Sequence, residues 1–135
     1  MRYFLLFVML LALPGFTAEV PDHVVLGGKT LRLQVFAWRD FMPQIGGDGS
    51  GSALMVTPSL VDDASRPLEG VVFSEIVASF QQQDWKAGVD PGGTARGGPK
   101  WPTGKNQLLV RAHYSYKGSD GWIRLARPTG IGRTE

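Results

Sequence analysis

Residues 106–118, NQLLVRAHYSYKG, restrict this chain more than any other stretch. Leu108, Val110, Ala112, Tyr114 and Tyr116 fall on one face, while Leu109, Arg111, His113 and Ser115 fall on the other. Side chains alternate with a period of two only in a strand, so this run must pair in a sheet with one face covered. KTLRLQVFAW (29–38) repeats the pattern, with Leu31, Leu33, Val35 and Ala37 opposed to Thr30, Arg32, Gln34, Phe36 and Trp38. GSDG (118–121) followed by WIRLARP (122–128) closes a C-terminal hairpin, and HVVLGG (23–28) reads as a short first strand turning at Gly27–Gly28. SALMVTPSLV (52–61) makes another strand, with Pro58 placing part of it at an edge or a bend.

GVVFSEIVASFQQQDW (70–85) fits two periods. Phe73, Ile76, Val77 and Phe80 suit a helix; Val72, Ile76, Ala78 and Phe80 suit a strand, with Ser74 out of step. Its β-branched residues and the surrounding strands favour one or two short strands. Residues 86–106 read as a long loop, with a short strand through Thr94–Arg96, and IGGDGSGS (45–52) as a flexible one. With 18 glycines and 9 prolines supplying turns, the expectation is all-β: an antiparallel β-sandwich of immunoglobulin-like size with six to eight strands.

Residues 1–18 have the layout of a secretory signal peptide. Arg2 precedes an apolar run to Leu13, then Pro14 and Gly15, then small Thr17 and Ala18. The run is too short to span a bilayer, which takes about 20 residues. Residues 19–135 then form one domain, periplasmic or secreted, with no transmembrane segment after signal removal. The chain has no cysteine, so disulfides, thiol nucleophiles and Cys-ligated zinc are excluded. Net charge is +2, too balanced for a nucleic-acid binder. From Glu19 to Trp85 there are nine acids against four bases, and from Lys86 onward nine bases against three acids. The asymmetry marks either a basic face for an anionic partner or two halves that interleave and neutralise each other; the second is favoured.

WRDFMP (38–43), RGGPKWPTG (96–104) and IGRTE (131–135) together resemble segments of a group of small exported bacterial proteins of unassigned function. In that group a signal peptide precedes one β-sandwich, and the resemblance covers most of the mature chain. QIGGDGSGS stands here where the group carries a proline-rich run after the Met-Pro step. The resemblance implies an exported sandwich and carries no activity or catalytic residues.

Catalytic patterns are thin, so the chain is expected not to be an enzyme. No G-x-S-x-G occurs, and His113 sits mid-strand, where a surface or half-buried role is expected. No metal site and no cofactor is expected; the acidic turns DDASRPLE (62–69) and GGDGSG (46–51) lack the ladder of a calcium loop. Tryptophans are the better lead, because they stack on sugar rings or anchor partner proteins. Trp38 and Trp122 are nonetheless expected in the core, and Trp101, between two prolines, as a lid on one end of the sandwich. Arg39–Asp40 is expected to lock the following loop through backbone hydrogen bonds.

The leading expectation is a non-enzymatic exported binding or accessory module. Its candidate ligand-binding residues are Trp38, Arg39, Asp40, Arg96, Lys100 and Trp101, and its partner is another envelope or extracellular protein or a glycan. The alternative is a periplasmic small-ligand or metal carrier using His23, Met42, Met55 or His113.

Overall fold

The computed structural model describes residues 19–42, 47 and 49–134. The signal-peptide reading of 1–18, the Pro43 end of the WRDFMP segment and residues 45, 46 and 48 of the 45–52 loop lie outside the described residues. Among the described residues nine strands follow in order: β1 His23–Leu26, β2 Lys29–Asp40, β3 Leu54–Val61, β4 Val72–Phe80, β5 Gln83–Gly88, β6 Ala95–Gly98, β7 Gly104–Tyr116, β8 Ser119–Arg124 and β9 Thr129–Thr134. The protein is all-β, as expected, with more strands than the six to eight anticipated.

The strands join in the order β5-β4-β7-β9-β2-β3-β6, with β1 on β2 and β8 on β7. The sheet is mixed, which corrects the expectation of antiparallel pairing throughout. β9 runs parallel to β2, pairing Trp38 with Gly132 and Asp40 with Thr134. The C-terminal strand can do this because it enters between β7 and β2, with β7 as its antiparallel neighbour. The sheet curls until its two ends nearly meet. Closure is tight at Gly98 of β6, where a Cβ atom would lie 2.8 Å from the Trp85 ring of β5.

Alternation places the core as read from the sequence. Leu31, Leu33, Val35 and Ala37 of β2 point inward against Leu54, Val56 and Leu60 of β3, and against Leu108, Val110, Ala112 and Tyr114 of β7. Pro58 sits in β3 opposite Val35 of β2, beyond the stretch that β6 pairs. Its missing N–H therefore breaks no ladder bond on that side.

Residues 70–85 are strand. Ser74, the residue out of step with alternation, lies at a bulge: pairing with β7 shifts between Phe73 and Glu75. One extra residue reverses the facing of what precedes it. Val72 is accordingly exposed, Phe73 packs on the core, and Ile76, Ala78 and Phe80 point inward. The β4–β5 hairpin turns on Gln81 and Gln82, both at positive φ (49° and 67°). The β1–β2 turn at Gly27–Gly28 and the β7–β8 turn at Lys117–Gly118 have the same tight two-residue form.

Candidate functional site

Trp101 does not form an exposed binding loop. It is only 6% exposed and belongs to the core cluster. Its ring stacks on Phe80 at 5.3 Å, its Nε1–H donates to Gln83 Oε1 at 2.9 Å, and its carbonyl accepts from Arg39. The glycine- and proline-rich stretch 95–105 is thus a corner that drives a tryptophan into one end of the molecule. Lys100, outside it, donates to Ser50 Oγ at 2.6 Å.

Arg39 follows Trp38 by one residue, so alternation turns it inward. It is 5% exposed. Its guanidinium donates from Nε to the Ser52 carbonyl at 2.9 Å, from Nη1 to the Trp101 carbonyl at 3.0 Å, and from Nη2 to the Ser50 carbonyl. Three carbonyls satisfy the planar fork, and no carboxylate does so among the described residues. Burial, then the positive charge of nearby Arg133, holds its pKa below the ordinary arginine value. Both guanidiniums lie over the Phe41 ring, at 4.7 Å for Arg39 and 3.9 Å for Arg133. Asp40 completes the junction: Met42 N–H donates to its Oδ1, and its own N–H donates to Ser52 Oγ. The pair ties the chain after β2 to the Ser50–Ser52 segment and to Trp101.

Trp38 faces outward, which corrects the expectation of core packing. It stacks on Phe36, two residues away on the same outer face, with centroids 4.7 Å apart and planes 24° apart. Phe36 is 58% exposed, so this aromatic pair is open to solvent. Trp122 is also on an outer face, edge-on to His113, and not in the core. Sequence reasoning put Phe36 and Trp38 on the same polar-side face but did not select Phe36; its shared parity with Trp38 was the available signal.

Beside Phe36 runs a shallow groove of about 460 Å³, lined by Phe36, Gly130, Gly132, Thr103, Lys105 and Arg133, among others. Its floor is the glycine-bearing strand β9. A Cβ on Gly130 would lie 2.6 Å from the Gly104 carbonyl, so position 130 cannot carry a side chain unless β7 and β9 part, whereas at Gly132 a Cβ would make only ordinary contacts. On the other flank Met55 of β3 pairs with Trp38 and receives Arg96 Nη1–H at 3.6 Å on its sulfur. Arg96 is held by Asp90 at 2.8 Å. Of the six sequence candidates, the fold brings Trp38 and Arg96 to one outer face through Met55, buries Arg39 and Trp101 at the junction, bonds half-buried Asp40 to its edge, and leaves Lys100 exposed beside it.

The residues named for a carrier are scattered. His23 bonds Asp22, and Met55 bonds Arg96. His113 lies between Ser74 Oγ (2.9 Å) and Asp120 Oδ2 (3.1 Å). Met42 is exposed after β2. Among the described residues no three His, Asp or Glu side chains gather as a metal site, and no helix is long and apolar enough to cross a membrane.

Compared with known proteins, the chain matches no family model, no curated protein and no solved structure.

Proposed function

We propose that this chain is an exported, non-enzymatic binding module that holds a glycan on the outer face of β2 and β9. The observation that carries the reading is the Phe36–Trp38 stack, open to solvent beside a glycine-floored groove. Flat apolar rings match the C–H faces of a sugar, and a floor without side chains lets a ring lie against backbone. Trp38 also covers Gly132 across the β2–β9 pair, whereas the greater part of Phe36 covers nothing. Export, to the periplasm or beyond, rests on the signal-like residues 1–18.

We read the curled sheet as two layers of an immunoglobulin-sized sandwich, β1-β2-β3-β6-β9 against β4-β5-β7-β8. Support comes from the irregular β7–β9 link, where pairing shifts between Gly104 and Leu108.

Binding of soluble polysaccharides by affinity electrophoresis tests the function. Phe36→Ala is expected to weaken retention at least about tenfold, as loss of one stacking ring does, with an unchanged melting temperature. Retention unaffected by Phe36→Ala would remove the platform.

A second reading, a small-ligand carrier, is favoured by a cavity of about 490 Å³ at the seam between β3 and β4, lined by Leu60, Leu68, Val71, Phe73 and Val89 with Asp90 at its rim. Its size suits a small apolar ligand.

A further inference from the structure

We infer that the β2–β9 groove takes one sugar residue at a time, the terminal or side-branch residue of a glycan rather than a run along its chain. The inference rests on the ring-stacking reading above and adds to it the size and position of the sugar unit recognised.

Only one aromatic face is on offer. Phe36 and Trp38 lie ring against ring, 4.7 Å apart and 24° from parallel, so each covers one side of the other. Trp38 is half-buried, and of the two only Phe36 lines the groove. Trp38 therefore backs Phe36, and the free side of the Phe36 ring is the stacking surface. Among the described residues no second aromatic ring lines the groove. A glycan chain laid there would stack a single residue, and each further residue would meet no further ring.

The width of the groove agrees. Ile131 is buried, so Gly130 and Gly132 on either side of it face outward and form the floor. β9 is the single strand between β2 and β7. Neighbouring strands lie about 4.8 Å apart, so the backbones carrying Phe36 and Lys105 stand roughly 10 Å from each other across that floor. Once the Phe36 ring and the Lys105 stem have taken their share, the gap admits one sugar ring, flat against Phe36 and edge-on to the glycines. Thr103 and Lys105 on the far wall carry hydrogen-bonding groups for its hydroxyls. Arg133, packed over the Phe41 ring at 3.9 Å, bounds the groove at the Gly132 end. An end or branch residue can enter such a trough, whereas a residue inside a linear chain has to leave it at both ends.

Titration of the intact protein with a monosaccharide and with the linear tetramer of the same sugar tests this. The pairs are glucose with cellotetraose, mannose with mannotetraose, xylose with xylotetraose and N-acetylglucosamine with chitotetraose. For the sugar that binds, the two dissociation constants are expected to agree within about fivefold, because a second stacked ring would add that much or more. Binding capacity is expected to follow the number of chain ends, so that galactomannan holds more protein per sugar than linear mannan. Phe36→Ala is expected to weaken monosaccharide and tetramer alike. Gly132→Ala, whose Cβ would lie 3.6 Å from the Ala37 carbonyl, is expected to keep the melting temperature and to weaken both, by filling the floor. A tetramer bound more than about fivefold tighter than its monosaccharide, or a capacity that follows chain length, overturns the single-residue assignment; if Phe36→Ala still weakens binding, the ring-stacking reading stands. Binding untouched by Gly132→Ala places the sugar off the glycine floor and overturns the assignment as well. Binding of no saccharide, or binding indifferent to Phe36→Ala, defeats the ring-stacking reading and this inference with it.

Discussion

Arg39 is the side chain on which one end of the molecule depends. Its fork gathers the carbonyls of Ser50 and Ser52 from one loop and of Trp101 from another far along the chain. Replacing it with methionine keeps the apolar stem but leaves three acceptors without their donor. Arg39→Met is expected to cost about 2–4 kcal/mol, read as a lower urea midpoint with an unchanged slope. An unchanged midpoint would mean that the carbonyls find other donors. Asp90 gives a pH signature at the same scale. The Thr94 N–H first, and then Arg96, hold its carboxyl below the ordinary value of 3.8. A depressed pKa favours the ionised form in the fold. The contribution is therefore present above the ordinary carboxylate range and lost as pH falls through the lowered folded value. Asp90→Ala should thus lower the melting temperature at pH 6, and its deficit relative to the parent protein should shrink towards pH 3. A deficit that is constant with pH would deny the carboxylate that role.

Among the elements, β2 and β7 were plain in the sequence because strict alternation admits one answer. The 70–85 stretch was ambiguous for a physical reason: a bulge at Ser74 breaks the period, and residues before and after it face oppositely. Its turn was hidden as well, since Gln81 and Gln82 are not turn formers yet both adopt positive φ. Glycine or asparagine tolerates that region, where other residues are strained by about 1 kcal/mol each. Gln81→Asn with Gln82→Gly is expected to raise the melting temperature by several degrees; a fall would show that the glutamine side chains contribute contacts worth more than the strain. The expected core roles of Trp38 and Trp122 failed because the size of a tryptophan says nothing about which face of a strand it occupies. The parity of Trp38 with Arg32 and Gln34 did indicate the outer face. Trp101 was read as a lid, and the corner between Pro99 and Pro102 carries it inward beyond that.

At the scale of the whole molecule, one end is closed by Trp101 and the Arg39 junction, and the curled sheet leaves two outer faces of different character. The β4–β5–β7–β8 face mixes charges of both signs. The β2–β9 face pairs exposed aromatic rings with a strand bearing Gly130 and Gly132. That second face could not be found by reading along the chain, because its floor and walls come from the ends of β7 and β9 and the middle of β2, brought together by a parallel pairing that local sequence does not encode. The cavity at the β3–β4 seam has the same origin, in a gap between strands distant in sequence. The measurement that discriminates between these surfaces is amide and indole chemical-shift mapping of the protein titrated with short oligosaccharides cut from a polysaccharide it retains. The expected result is a continuous patch of shifts at Phe36, Trp38, Thr103 and Gly130–Gly132, with the Trp101 indole unmoved. Shifts centred on Leu60, Phe73 and Val89 at the seam, or on Trp122, with Phe36 and Trp38 silent, would contradict the assignment of the β2–β9 face.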